Sequence, residues 1–462
     1  MGSAGLNKAR DKMVAAGVDE VAIETFAHYF RLLEHGETGM IPESSIDPVD
    51  MPSLRDVEVS EEDAAAAVRA TAVIKLNGGL GTSMGMDRAK SLLCVRHGLS
   101  FLDIIARQVL HLRAEYDATL PLIFMNSFRT SADTLAALAR YDALPVDGLP
   151  LEFLQNKEPK LLVKTLAPVS YPKDPDLEWC PPGHGDLYTA LRGTGLLDLL
   201  LERGFRYVFV SNSDNLGAVP DARVAGWFAT SGAPFAIEAV RRTPSDRKGG
   251  HFARRKNDGR IVLRETAQTP PADVGALADL DRHRFTSTNN LWFDLVAMKE
   301  ALDVRQGILG LPLIRNVKNV DPGDPSSAEV VQIETAMGAA IEVFEGSQLI
   351  EVGRDRFVPV KTTNDLLVLR SDVYEIGADF ALDQVAPDLP FVDLDTRHYK
   401  VLDQFDKRFP EGAPSMREAT SLRVEGDWTF GKGVQVVGDV ELGATSAQRV
   451  APATVLGGPT DG

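Results

Sequence analysis

Cysteine is nearly absent from this sequence: Cys94 and Cys180 are the only two among 462 residues. Two thiols cannot build a disulfide framework or a cysteine-based metal site of standard spacing, and their scarcity suits a reducing compartment. No apolar run approaches the ~20 residues that span a bilayer. The first residues, MGSAGLNKARDKMVAAG, lack the continuous apolar centre of a signal peptide, so a cytoplasmic location is expected. Excess positive charge is missing too. The formal net charge is −17, which repels nucleic acid, and no basic run offsets it. Neither nucleic acid nor a membrane is an expected partner. An anionic substrate would have to be held by a few placed cations, backbone N–H groups and a metal.

What is present is ordinary for a globular protein, with 44% hydrophobic and 25% charged residues. The length exceeds one compact core, so one large domain with smaller additions is expected. Residues 19–35 carry apolar side chains at helical spacing and stop at Gly36. Ser60 with Asp63 reads as a capping pair for an Ala-rich helix over 61–70. Strand AVIKL (72–76) leads through a glycine-rich turn into a helix opened by Ser100. Strand 121–126, helix 131–141, strand 151–155, a helix over 184–203 and strand 207–214 follow. This alternation predicts an α/β fold, a mostly parallel sheet with helices on both faces. Two alternating runs around Asp258-Gly259 predict an antiparallel hairpin placed on that sheet. Residues 287–302 and 330–346 add a strand–helix pair and a buried helix. Near the end, GDWTFG (426–431) recurs as GDVELG (438–443), twelve residues on. The repeat reads as stacked strands of a β-helix or as two plain hairpin strands, and the residues after 443 as a frayed tail.

The segment LNGGLGTSMG (76–85), continued to Lys90, follows a strand directly, where α/β sheets bind nucleotides. Its glycines admit close backbone approach, and successive N–H groups can form an anion nest. The dinucleotide pattern G-x-G-x-x-G is missed by one residue, and the Gly-Lys-Ser/Thr ending of a P-loop is absent. By itself the segment is either a nucleotide-binding loop or a structural turn.

Residues 75–90 resemble the signature loop of the eukaryotic-type UTP–glucose-1-phosphate uridylyltransferases, also called UDP-glucose pyrophosphorylases. The resemblance continues in order through WCPPGHGD (179–186), VSNSDNLG (210–217), TNNLW (288–292), QIETAMGAAI (332–341) and FVPVKTTNDL (357–366). It implies a Rossmann-like (GT-A-like) nucleotidyltransferase domain with a mixed central sheet and a short C-terminal left-handed β-helix. It also implies the reaction of UTP with glucose 1-phosphate to UDP-glucose and pyrophosphate, with Mg²⁺ as cofactor. The expected division is a helical segment over 1–70, a catalytic domain over 71–370, a connecting segment over 371–420, and the β-helix with its tail over 421–462. Oligomeric state is left open.

The resemblance also assigns roles. Leu76, Asn77, Gly78 and Gly79 hold uridine, Gln155 and the backbone of Gly183 read uracil, and Lys90 and Lys361 serve the phosphates and catalysis. His184, Asn212, Asn289 and Glu334 face glucose 1-phosphate, and Asp214 binds Mg²⁺. Trp292 is expected in the core. Read from residues alone, Gln155 ends a strand, His184 is a surface histidine, Asp214 caps a helix and Lys361 is solvated. One departure concerns the loop end. The family usually has Gly-Pro-Lys there, with a further Lys three residues before the last one; this chain has Asp87 and Arg88-Ala89-Lys90. The alternatives are the same reaction with galactose or N-acetylglucosamine 1-phosphate, or a catalytically silent sugar-nucleotide-binding regulator.

Overall fold

The fold is described from a computed structural model, covering residues 2–247 and 249–458. The last four positions of the expected tail lie outside the described residues. Seven strands form the central sheet: β1 (Thr71–Asn77), β2 (Leu122–Asn126), β3 (Glu152–Leu154), β4 (Tyr207–Asn212), β5 (Phe235–Arg241), β6 (Phe285–Asp294) and β7 (Gln348–Glu351). Their spatial order is β7-β5-β6-β4-β1-β2-β3. Every neighbouring pair is parallel except the two that involve β6, which runs against both β4 and β5. The mixed sheet follows from a composition that cannot leave either face wet. Along β1, Val73 enters one buried cluster while Ala72 and Ile74 enter the other, so successive residues feed cores on opposite faces. Trp292 is fully buried, as expected.

Local signals set most of the helices. Asp19 caps Glu20–Glu34, Ser60 caps Glu61–Arg69, and Ser100 with Asp103 forms a reciprocal capping box on Phe101–Tyr116. Three expectations need correction. The helix expected over 184–203 is two helices, Asp186–Gly193 and Leu196–Glu202, broken where Gly195 adopts φ +72. The hairpin around Asp258-Gly259 forms, but its strands join Ile46–Pro48 in a separate three-stranded sheet. The buried helix after residue 334 is a short 3₁₀ segment, Met337–Glu342. The first residues, given no element by their sequence, form a helix, Gly2–Ala15. It packs Leu6, Ala9 and Met13 with Phe26 and Phe30 of the next helix against Leu161, Val331 and Ile333.

At the C-terminal end, parallel strands stack in two columns. Phe391–Leu394, Ser415–Glu425, Gln435–Gly443 and Val455–Gly457 make one, and Trp428–Phe430 with Gln448–Val450 makes the other. The stacking repeat is not the twelve residues seen in the sequence. Asp439 lies beside Ser421 and Gln448 beside Trp428, so one coil takes about eighteen to twenty residues. The segment read as frayed supplies the last paired strands up to Gly457. Leu422, Phe430, Val434 and Val436 belong to the same buried cluster as the central sheet.

Candidate functional site

Chain order reverses between β1 and β4, since β2 and β3 continue on one side of β1 and β4 lies on the other. Such a switch point opens a crevice at the carboxyl ends of the strands. A cleft of about 890 Å³ lies there, lined by Leu76, Asn77, Gly78, Gly79, Lys90, Gln155, Gly183, His184, Asn212 and Asp214. Next to it, and sharing Asn212 and Asp214, lies a second hollow of about 980 Å³ that includes Gly250, Glu265, Ser287, Asn289 and Lys361. The two form one trough with Asp214 on the common wall.

The loop after β1 is closed on itself by a bond from the Lys90 amide to the Gly79 carbonyl, 3.1 Å. At Gly78 a Cβ would lie 2.7 Å from Gln155 Oε1, so the missing side chain is what brings the Gln155 amide against the loop. Gln155 makes no side-chain hydrogen bond among the described residues and keeps its donor and acceptor for a ligand. Asn77 presents its backbone, because its side-chain amide donates to Asn126 (2.8 Å) and Thr134 (2.9 Å).

Gly183 has φ +80, and a Cβ there would sit 2.6 Å from the Thr335 carbonyl oxygen. The Thr335 amide donates to Pro182, and the Gly185 amide donates to Thr335, which zips this loop to residues 335–337. The Met337 N–H donates to His184 Nδ1 at 2.9 Å. Nδ1 is therefore unprotonated, and Nε2 carries the proton as a donor toward the cleft. The side chain opens onto the cleft, yet the surrounding walls desolvate it and lower its pKa to about 4, so the ring is neutral at pH 7.

Lys90 Nζ lies 2.6 Å from Asp214 Oδ2 and also donates to the Val360 carbonyl. Val360 precedes Lys361, whose ammonium faces the second hollow and has no ion-pair partner among the described residues. The segment bearing Lys361 is held to Asp214: the Val360 N–H donates to the Asp214 carbonyl, Asn215 Nδ2 donates to the Arg356 carbonyl, and the Val358 N–H donates to Asn215 Oδ1.

Asn289 stands in the left-handed region, φ +59. Its neighbours hold it there. Glu238, fully buried at a register shift between β5 and β6, accepts from Asn290, Trp292 and twice from Arg356, while the Thr288 hydroxyl donates to its carbonyl. Glu334 is not brought into the trough. It lines neither hollow: its Cβ stands 3.2 Å from where a Cβ on Gly183 would be, and its carboxylate accepts from Asn316 Nδ2 at 3.0 Å with Lys318 Nζ 3.8 Å away. Glu265 was missed by sequence reasoning. Its carboxyl lies against Gly250, where a Cβ would be 2.6 Å from Oε2, and burial raises its pKa. The one available signal was an acidic residue ending the second hairpin strand.

Asp214 fits a hard divalent cation that takes one or two protein carboxylates and completes its shell with phosphate oxygens and water. Among the described residues no group of three or more His, Cys, Asp or Glu could hold a metal unaided.

A glycine-rich loop at a switch point, with a cleft and a neighbouring hollow that share a carboxylate–lysine pair, is the arrangement of a nucleotide-binding α/β sheet. Comparison with known proteins narrows this. The family described as UTP–glucose-1-phosphate uridylyltransferase matches residues 23–437, and the chain belongs to that family. It is 37% identical over 383 residues to a probable UTP–glucose-1-phosphate uridylyltransferase of Schizosaccharomyces pombe, covering 82% of this chain and 74% of that protein. To the enzyme of Solanum tuberosum it is 35% identical over 453 residues, covering 95% and 92%. Among solved structures, the UDP-glucose phosphorylase of Trypanosoma brucei superposes with a TM-score of 0.91 at 43% identity. A mutant UDP-glucose pyrophosphorylase of Leishmania major in complex with UDP-glucose superposes with 0.92 at 42%. Each comparison covers 98% of both chains.

Proposed function

We infer that the trough joins UTP to glucose 1-phosphate, giving UDP-glucose and pyrophosphate. The observation that carries the residue assignments is the meeting of the two hollows at Asp214 and Lys90. One hollow is built of backbone and carboxamide groups suited to a nucleoside, the other of carboxyl and carboxamide groups suited to sugar hydroxyls. Uridine lies along Leu76–Gly79, with its imide edge toward Gln155 and the Gly183 backbone; an amide that both donates and accepts matches an imide. Glucose occupies the second hollow, met by Asn212, Asn289 and Glu265. Glu334 supports the Gly183 loop from behind and is not assigned to the sugar. His184, donating from Nε2, is placed for a phosphate oxygen.

The glucose 1-phosphate oxygen attacks the α-phosphorus of UTP in line; the new P–O bond forms as the bond to the β-phosphate bridge breaks, and pyrophosphate leaves. The nucleophile is already an anion, so no general base is required. The protein has to position two polyanions and offset their repulsion, which Lys90, Lys361 and the loop N–H groups are placed to do. Mg²⁺, held by Asp214, would supply charge neutralisation on the phosphates.

The stacked C-terminal strands are read as a short left-handed β-helix that carries no substrate contact, its first strands being Phe391–Leu394 and Ser415–Glu425, ahead of the residue 421 expected from the sequence. The residues before 71 are read as a helical support and those of 71–370 as the catalytic domain. The two free thiols suit a cytoplasmic setting. A panel of sugar 1-phosphates with UTP, read by pyrophosphate release, tests the function. Glucose 1-phosphate should give the highest kcat/KM; galactose or N-acetylglucosamine 1-phosphate outperforming it would overturn the sugar assignment.

A further inference from the structure

Asp186 opens the helix that follows the Gly183–His184–Gly185 loop and is 4% exposed. Its carboxylate has one partner residue among the described side chains. Oδ2 accepts from the Asn156 backbone N–H at 2.6 Å and Oδ1 from Asn156 Nδ2 at 2.8 Å. Asn156 follows Gln155 directly, and the Gln155 N–H is fixed to the Asn126 carbonyl at the end of β2. On the other side, the Asp186 N–H donates to the Gly183 carbonyl at 3.2 Å. One carboxylate thus bridges the two segments that face each other across the base end of the cleft, which come from sequence positions some thirty residues apart.

We propose that Asp186 is a positioning residue for uracil recognition: it ties the Gln155–Asn156 turn to the Gly183–His184 loop and so fixes the separation between the two groups that read the base. The proposal rests on the base assignment given above. A buried carboxylate taken by two donors of a single residue is costly to desolvate and is retained where geometry matters. A neutral helix-capping residue would serve the helix as well, because the N-cap Gly185 already leaves the helix start to the backbone. Two to three residues away the same segments are paired, Glu158 with Cys180 and Pro159 with Trp179, and the Cys180 thiol donates to the Glu158 carbonyl; what Asp186 adds is a side-chain tie at Asn156 itself, directly beside Gln155.

Loss of the cross-link lets the two reading groups separate while Lys90, Lys361 and Asp214, on other segments, stay in place. Binding of uridine nucleotides should weaken with little change in the chemical step, which appears as KM rising at nearly constant kcat. In Asp186→Ala, the KM for UTP and the calorimetric Kd for UDP-glucose should each rise about tenfold or more. The preference for UTP over CTP should narrow, with kcat at saturating UTP and KM for glucose 1-phosphate each within about threefold. In Asp186→Asn the new side chain can accept one bond and donate the other to a flipped Asn156 amide, so most of the lost affinity should return. A folded Asp186→Ala protein with wild-type Kd for UDP-glucose and unchanged UTP preference overturns the proposal. So does one that raises both KM values and lowers kcat alike. If Asp186→Ala does not fold, Asn156→Ala removes one arm from the opposite side, and an unchanged Kd there overturns it equally. Gln155→Ala separates the two ideas: if it leaves the UTP preference intact, the base assignment itself is wrong; if it abolishes the preference while Asp186→Ala does not touch it, the clamp alone is wrong.

Discussion

Replacing Lys90 by alanine removes a charge and little else. The bond that closes the glycine loop comes from the Lys90 amide to the Gly79 carbonyl, so alanine retains it. The ammonium is 15% exposed and paired at 2.6 Å with a carboxylate that is 26% exposed, a partly solvated pair whose loss should cost no more than ~1 kcal/mol of stability. Its catalytic cost is expected to be much larger. Removing one preorganised donor to developing charge lowers kcat by ~10²–10³, about 3–4 kcal/mol of transition-state stabilisation. Lys90 carries a full charge, which places the expectation at the upper end, ~10³ or more. Lys90→Arg should recover only part, since a planar fork does not reproduce a point charge beside Asp214 and the Val360 carbonyl. Pyrophosphate release under saturating UTP and glucose 1-phosphate measures turnover, with circular dichroism and thermal unfolding on the same preparations. A folded Lys90→Ala protein whose turnover stays within about tenfold of wild type would refute the reasoning.

Gly183→Ala combines a φ of +80 with a Cβ 2.6 Å from a backbone oxygen; the conformational term alone is ~1–2 kcal/mol, and the KM for UTP should rise more than that for glucose 1-phosphate in steady-state assays. Glu265→Ala should do the reverse, raising the KM for glucose 1-phosphate about tenfold or more while the KM for UTP holds, because a site built to bond a hydroxyl loses that partner. Asp186 supplies a stability test with a definite sign. Burial raises its folded pKa to about 6 from an ordinary 3.8, so the contribution favours the folded state in acid and is lost as pH rises through 6. The stability of Asp186→Asn relative to wild type, followed by denaturant unfolding, should therefore climb between pH 4 and pH 7, by about 2–3 kcal/mol; a difference that stays flat or falls over that window contradicts the burial argument.

Legibility in the sequence followed the range of the forces involved. Helix starts at Asp19, Ser60 and Ser100 were readable because a cap is satisfied within three residues. Five of the seven central strands were readable, most of them as short apolar runs, whereas Phe235–Arg241 and Gln348–Glu351 were not picked out; the glycine loop was readable because close approach needs absent side chains at fixed spacing. The resemblance to a known family then supplied roles that spacing could not. The break at Gly195 was missed although Gly193-Thr194-Gly195 is a breaker signal, because the apolar pattern resumes at Leu196 and glycine within a helical pattern is tolerated. The twelve-residue repeat misled for a related reason: local similarity of GDWTFG and GDVELG says nothing about which strand pairs with which, and pairing at eighteen to twenty residues depends on the turns of each coil.

The amino-acid sequence alone determined the α/β class and set a glycine-rich loop directly after a strand, while the roles expected of Lys90, Gln155, Asn212 and Asp214 came with the resemblance to a known family. Tertiary structure decided which of the named residues share a wall. It brought Lys90 to Asp214 across 124 positions, set Lys361 beside them through Asn215 and Val360, and admitted Glu265 to the second hollow. It also turned Glu334 away behind Gly183, where Asn316 holds it. Those outcomes rest on hydrogen bonds between segments far apart in the chain. No window of the sequence contains both partners, and they exist only once the strands have stacked.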